Sequence, residues 1–143
     1  MITTAKNDET LIRTELTEDN RATFTAALFG PHFPLRLEPT IYAITDRIAP
    51  AYQGGYWRFW RLGDEGFYMA PDAEHSFAVR SMNGWQGELS ADALGIACCL
   101  TAYSHLSFGA PEAFARTCAE HYHRLRGWMM EHPEVEGILW ATD

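Results

Sequence analysis

The 143-residue chain is short of positive charge: 11 Lys and Arg stand against 19 Asp and Glu, a formal net charge of −8. Direct nucleic-acid binding needs a basic footprint, and the one local concentration is Arg124/Arg126, so no nucleic-acid contact is expected. Cysteine is scarce as well. There are three, an odd count, with Cys98 and Cys99 adjacent. That argues against a disulfide framework and fits small apolar thiols kept reduced in a cytoplasm. No N-terminal segment joins basic residues to an apolar run, so no secretion signal is expected. H-E-x-x-H, C-x-x-C and G-x-S-x-G are absent, as are repeats and low-complexity tracts. Gly54-Gly55 precedes a strand pattern rather than opening a helix, which removes the helix-dipole logic of a phosphate loop.

What is present is an apolar, aromatic chain. Hydrophobic residues make up 47%, with five Trp, six Tyr and eight Phe. This composition describes one folded domain over residues 1–143, large enough to bury about 68–70% of its unfolded surface. Ser90–Phe108, SADALGIACCLTAYSHLSF, is the stretch around which the rest is built. It is apolar in nearly every helical direction, holds no proline, and its only glycine is Gly95. A helix of this kind is sheathed by its own protein or lies in a membrane. Thr101, Ser104, His105 and Ser107 interrupt it, and it falls short of roughly twenty apolar residues, so a buried central helix is expected and no membrane contact. Ser90 is the N-cap, with Asp92 in the first turn; Gly109-Ala110-Pro111 ends it.

Around that helix the pattern is α+β. Residues 1–15 are polar, without a sustained period, and partly mobile by expectation. Thr17-Glu18-Asp19 starts a helix to Phe29, with Phe24, Ala27 and Leu28 on one side and Gly30-Pro31 as its stop. Leu37, Ile41, Ile44 and Ile48 line one face of a second helix beginning near Pro39. Strand patterns follow at Tyr56–Leu62, Phe67–Ala70, Ser76–Met82 and Trp85–Leu89, separated by Gly63–Gly66, Pro71–Glu74 and Asn83-Gly84. Their close spacing predicts a small antiparallel meander of three to four strands against the central helix. Pro111 opens another helix with the stripe Phe114, Cys118, His121, Tyr122, Leu125, Trp128 and Met129. Glu120–Arg124 is an expected i,i+4 pair on its other side. His132-Pro133 breaks it before a terminal helix over Glu134–Trp140.

Chemistry is thinly signalled. His121 and His123, two apart on a helix, diverge, so no metal site is expected. His121 reads as a hydrogen-bonded packing residue. Thr101, Ser104 and His105 form a polar strip that, joined by His121 or Glu120, would make a small hydrolase-like site. That reading requires the strip to floor an open cleft beside another titratable group. Hydroxyls bonded one turn back along the helix are the plainer interpretation. Cys118 beside His121 suggests a thiol dyad, but a shared apolar stripe suits core packing better. No catalytic residue and no cofactor is assigned. Acids spread among aromatics and alanines fit a solubilising surface better than a phosphate-mimicking array, so a weakly acidic DNA mimic is the lesser alternative.

The segments Gly54-Gly55-Tyr56-Trp57, Gly66–Pro71, Gly87–Ala93, Ser104–Phe108 and Glu120–Arg126 occur in an order that resembles the ArdB/KlcA antirestriction family, on its plasmid-borne KlcA side. The likeness runs from about residue 50 to Asp143 and is looser before that. Cys98-Cys99 and Gly127-Trp128 depart from the family's usual residues. The resemblance implies an α+β fold and a non-enzymatic protein of the bacterial host cytoplasm. Its implied role is to protect incoming plasmid DNA from type I restriction-modification enzymes by protein contact. Under that reading the contact surface is expected to include Glu88, Asp92, Glu120, Arg124 and Asp143.

Overall fold

The computed structural model describes residues 12–143. In chain order its elements are β1 (Thr14–Glu15), α1 (Glu18–Phe29), a π-helical turn (Phe33–Leu37) running into α2 (Glu38–Ile48), β2 (Trp57–Leu62), β3 (Gly66–Pro71), β4 (Phe77–Arg80), β5 (Gln86–Leu89), α3 (Ala91–Leu106), α4 (Glu112–Trp128) and α5 (Val135–Thr142). The architecture is α+β. A 3₁₀ turn at Met129–Glu131 links α4 to the break at His132-Pro133.

The central helix α3 is surrounded. It packs against β3, α4, α2 and α5, and every residue from Ala93 to Leu100 is buried. Ser90 caps it, its hydroxyl accepting from Ala93 N at 3.1 Å. Gly95 is where helix and sheet touch: a methyl there would overlap Ala70 and lie 2.5 Å from the Met69 carbonyl oxygen. The two backbones approach as closely as a residue without Cβ allows.

That approach explains the main departure from the expected meander. β1, β2 and β3 form one antiparallel sheet, whereas β4 and β5 pair only with each other as a separate ribbon. The outer edge of β3 is taken by α3 instead of a fourth strand. The Met69 amide donates to Cys99 Sγ at 3.4 Å, and the Tyr103 hydroxyl donates to the Phe67 carbonyl at 2.8 Å. Pro71 ends the strand with no donor of its own, and the Asp72 amide returns to the Tyr56 carbonyl at 2.8 Å.

Most of the N-terminal stretch expected to be partly mobile, residues 1–11, lies outside the described part, but its last residues join the sheet: Thr14 and Glu15 pair with Arg61 and Trp60 of β2. Glu15 also accepts two bonds from Arg58, at 2.8 and 3.2 Å. In α1 the buried positions are Thr25 and Phe29, while Phe24 and Leu28 are only partly covered and Ala27 is exposed. In α2, Ile41, Ile44 and Ile48 are buried, as is Leu37 at the end of the turn before it. Phe33, Phe59 and Phe67 meet edge-to-face at 5.5–5.8 Å and join sheet to helices.

Overpacking a tight contact costs about 1–3 kcal/mol, which moves the melting temperature of a domain this size by several degrees. Gly95→Ala is therefore expected to lower the thermal midpoint by about 5–10 °C. An unchanged melting curve would mean the helix does not sit against β3 as described.

Candidate functional site

Two places bring polar side chains together, one at each end of α3. The first is a cavity of about 350 Å³ at its N-terminal end, lined by Arg13, Arg58, Trp60, Asp72, Ser90, Asp92, His132 and Glu134 among others. Asp92 is its hub. Oδ1 accepts from Arg13 at 2.9 Å and from the Tyr68 hydroxyl at 2.8 Å, and Oδ2 meets His132 Nε2 at 2.9 Å. Arg13 also donates to the Tyr68 hydroxyl and stacks 3.8 Å above Trp60. Glu134 closes the other side, accepting from the Ser90 amide at 2.9 Å and from the Ser90 hydroxyl.

The tautomer of His132 follows from its partners. The Glu134 amide donates to Nδ1 at 3.0 Å, so Nδ1 holds a lone pair and Nε2 carries the proton given to Asp92. Both ring nitrogens are thereby occupied, leaving no basic nitrogen for a substrate. Burial alone would raise the Asp92 carboxyl. The His132 hydrogen bond, the Arg13 charge and the Tyr68 hydroxyl outweigh it and hold Asp92 below the usual carboxylate range. Burial and the Asp92 charge push the Tyr68 hydroxyl well up, so it stays a neutral donor. The cluster is internally satisfied and ties Arg13, β3, α3 and the segment after α4 together.

The second place is a groove of about 660 Å³ between α2 and the C-terminal turns of α3. Its lining includes Thr101, Ser104 and His105 with Arg47, Met82 and Phe108. Three of the four residues of the expected polar cluster therefore do meet at an open cleft beside an ionisable group. The fourth does not join them. His121 faces the core at 3% exposure, its ring 4.6 Å from Phe29 and 5.5 Å from Tyr103. It packs as expected, but Nδ1 has no hydrogen-bond partner among the described residues. Burial, then the nearby Arg124 charge, lowers its pKa to about 4.

The groove is poorly suited to hydrolysis. Ser104 and His105 are consecutive on a helix and diverge, no carboxylate bonds His105 among the described residues, and a guanidinium such as that of Arg47 supplies no base. Thr101 bonds its own helix at the Ala97 carbonyl, 2.8 Å away. A thiol dyad fares no better. Burial pushes the Cys118 thiol up to about 12 while it lowers His121, opposite to a thiolate–imidazolium pair. Burial likewise raises Cys98 to about 12 and Cys99 further.

The five residues expected at the partner surface sit in separate local settings. Glu88 is exposed on β5 and Glu120 is exposed on α4. Asp92 is only 28% exposed and is committed to the first cavity. Arg124 does not pair with Glu120: it reaches the β2–β3 turn, 3.5 Å from the Glu65 carboxylate and 3.1 Å from its carbonyl. Asp143 pairs with Arg126 at 3.4 Å. Among the described residues no two of the five are hydrogen-bonded or ion-paired to each other. Surface acids are interrupted by arginines at Glu15–Arg58, Asp64–Arg61, Glu65–Arg124 and Asp143–Arg126, which breaks up any phosphate-like array. No three His, Cys, Asp or Glu side chains gather at metal-binding distance among the described residues. No described helix is long and apolar enough to cross a membrane.

Sequence reasoning missed Arg13, Tyr68, His132 and Glu134. Asp92 and His132 stand 40 positions apart, so no local spacing marks them; the His132-Pro133 break was the one visible signal.

Two pH windows follow. The unfolded chain protonates His121 near 6.5 and the folded protein only near 4. Stability therefore falls as pH drops from about 6.5 to 4, by up to about 1.4 kcal/mol per pH unit. Asp92, lowered from 3.8, contributes stability above that value which is lost on further acidification. Urea midpoints measured against pH are expected to flatten between 6.5 and 4 in His121→Phe, and only below about 4 in Asp92→Asn. Flattening in the wrong window would show that these groups do not carry the acid response.

Comparison with known proteins finds relatives of the chain as a whole. A family model described as "Antirestriction protein" matches residues 50–143. Antirestriction protein KlcA of Escherichia coli is 37% identical over 138 residues, covering 95% of this chain and 97% of the relative. YfjX of Escherichia coli K12 is 43% identical over 112 residues, 76% of this chain and 72% of its own. A solved structure superposes with a TM-score of 0.82 at 38% identity, over 92% of this chain and 96% of that one. It is described with the KlcA and ArdB proteins, which show a novel fold and antirestriction activity against type I DNA restriction systems in vivo but not in vitro. With a family model over residues 50–143 and these relatives along nearly its whole length, the chain belongs to the antirestriction protein family.

Proposed function

We propose that this protein protects incoming plasmid DNA from the host's type I restriction enzymes, acting in the cytoplasm through contact with protein and breaking no bond. The observation that carries the reading is the near full-length likeness to KlcA, together with the in vivo activity described for the KlcA and ArdB proteins. Absence of that activity in vitro favours a contact that also needs a component or state of the living cell.

The chemistry of the side chains supports a binding role. Nucleophilic catalysis asks for a depressed thiol or a hydroxyl bonded to a free base. The three cysteines are buried and raised, His132 has both nitrogens engaged, and His121 is held neutral in the core. A charge of −8, spread among paired arginines, suits an interaction surface that stays soluble beside DNA-bound enzymes.

The test is entry of unmodified plasmid into a strain with an active type I system, with and without this protein expressed. Entry is expected to rise toward the level of a restriction-deficient strain, while methylation of the host's sites persists. Equal entry with and without the protein would overturn the reading. His121→Phe, in the core and away from the groove at the end of α3, is expected to leave protection intact; its loss in a folded variant would revive the hydrolase alternative.

A further inference from the structure

Resting on the reading above, we propose that the groove between α2 and the end of α3 receives the partner, and that its occupant is a protein segment carrying carboxylates beside large apolar side chains. The groove combines three properties. Its rim is apolar and uncovered: Phe108 is 87% exposed and Met82 53%, flanking Ala43 and Ile44. Its two threonine hydroxyls bond their own helices, but its other polar side chains are unspent. Arg47, the Ser104 hydroxyl and both His105 ring nitrogens make no hydrogen bond or ion pair among the described residues, whereas in the Asp92 cluster Arg13, Tyr68 and His132 all bond the Asp92 carboxylate.

Its charge is also unlike the rest of the molecule. Acids outnumber bases 19 to 11 in the chain, and the four other cavities described each have at least one carboxylate in their lining. This groove has none; its one charged residue is Arg47, and the neighbouring Asp46 is not part of the lining. Large apolar side chains exposed around an unpaired guanidinium are the composition of an interface centre, in which an aromatic and an arginine anchor the contact. A cation without an internal partner is complemented by an acid from outside. A second copy of this chain, also at −8, is a poor occupant because its overall charge repels.

The experiment measures plasmid protection for Arg47→Glu, Arg47→Met, Arg47→Lys and Phe108→Ser beside the wild type, with thermal melting of each purified variant. Both positions are exposed, so melting temperatures are expected to stay unchanged. Arg116→Glu, on the solvent side of α4, controls for the same change in net charge. Arg47→Glu and Phe108→Ser are each expected to cut protection about tenfold or more, and Arg47→Lys to keep most of it. Full protection by the Arg47→Glu, Phe108→Ser double variant overturns the groove as the surface. Full protection by Arg47→Met overturns the acidic occupant. A wild-type dimer in sedimentation that Phe108→Ser dissolves would assign the groove to self-association instead. A wild-type chain that gives no protection at all removes the functional reading and this one with it, and so is told apart from failure of the groove alone.

Discussion

The contact between the backbone of α3 and β3 at Gly95 governs the rest of the structure. Because nothing separates helix from strand there, α3 lies low enough for Cys99 and Tyr103 to satisfy the outer edge of β3. Buried amide and carbonyl groups that would need a neighbouring strand are instead served by side chains. The remaining faces of α3 are closed by α2, α4 and α5, which is why its sequence is apolar in all directions. Its middle has no surface left to offer.

The polar side chains of α3 therefore gather at its two ends, and the two ends differ in chemical character. At the N-terminal end, Asp92 gathers Arg13, Tyr68 and His132 into a network in which donors and acceptors match. Such a network rigidifies; it has little capacity to respond to a ligand. At the C-terminal end, Ser104 and His105 emerge beside Arg47 and Phe108 with bonds still to make, while Thr101 bonds its own helix. This division between a satisfied end and an unsatisfied end is what the binding role proposed above would use.

Much of this was readable in the residues. Ser90 and Asp92 mark the start of α3, the Leu37, Ile41, Ile44 and Ile48 spacing marks the face of α2, and His132-Pro133 marks the end of α4. These are local signals, set by capping, period and ring geometry. What stayed hidden depends on distance in sequence. Nothing near Met69 says that its amide will find a thiol rather than a strand, and two residues at Thr14–Glu15 are too few to show a period. Arg124 has a plausible partner one turn away at Glu120 and takes Glu65 instead, because tertiary packing brings the β2–β3 turn within reach. The polar strip on α3 was visible, but the company it keeps was not: Arg47 comes from α2 and Met82 from the loop joining β4 to β5.

A helix in the place of a fourth strand also decides how this protein can meet another. An open strand edge is a template on which a foreign chain can extend the ladder, and natural proteins hide such edges by covering them. Here the cover is the most deeply embedded segment of the fold, so it cannot be peeled away without dissolving the core. Recognition on that flank must proceed by shape and side-chain chemistry, with no main chain on offer.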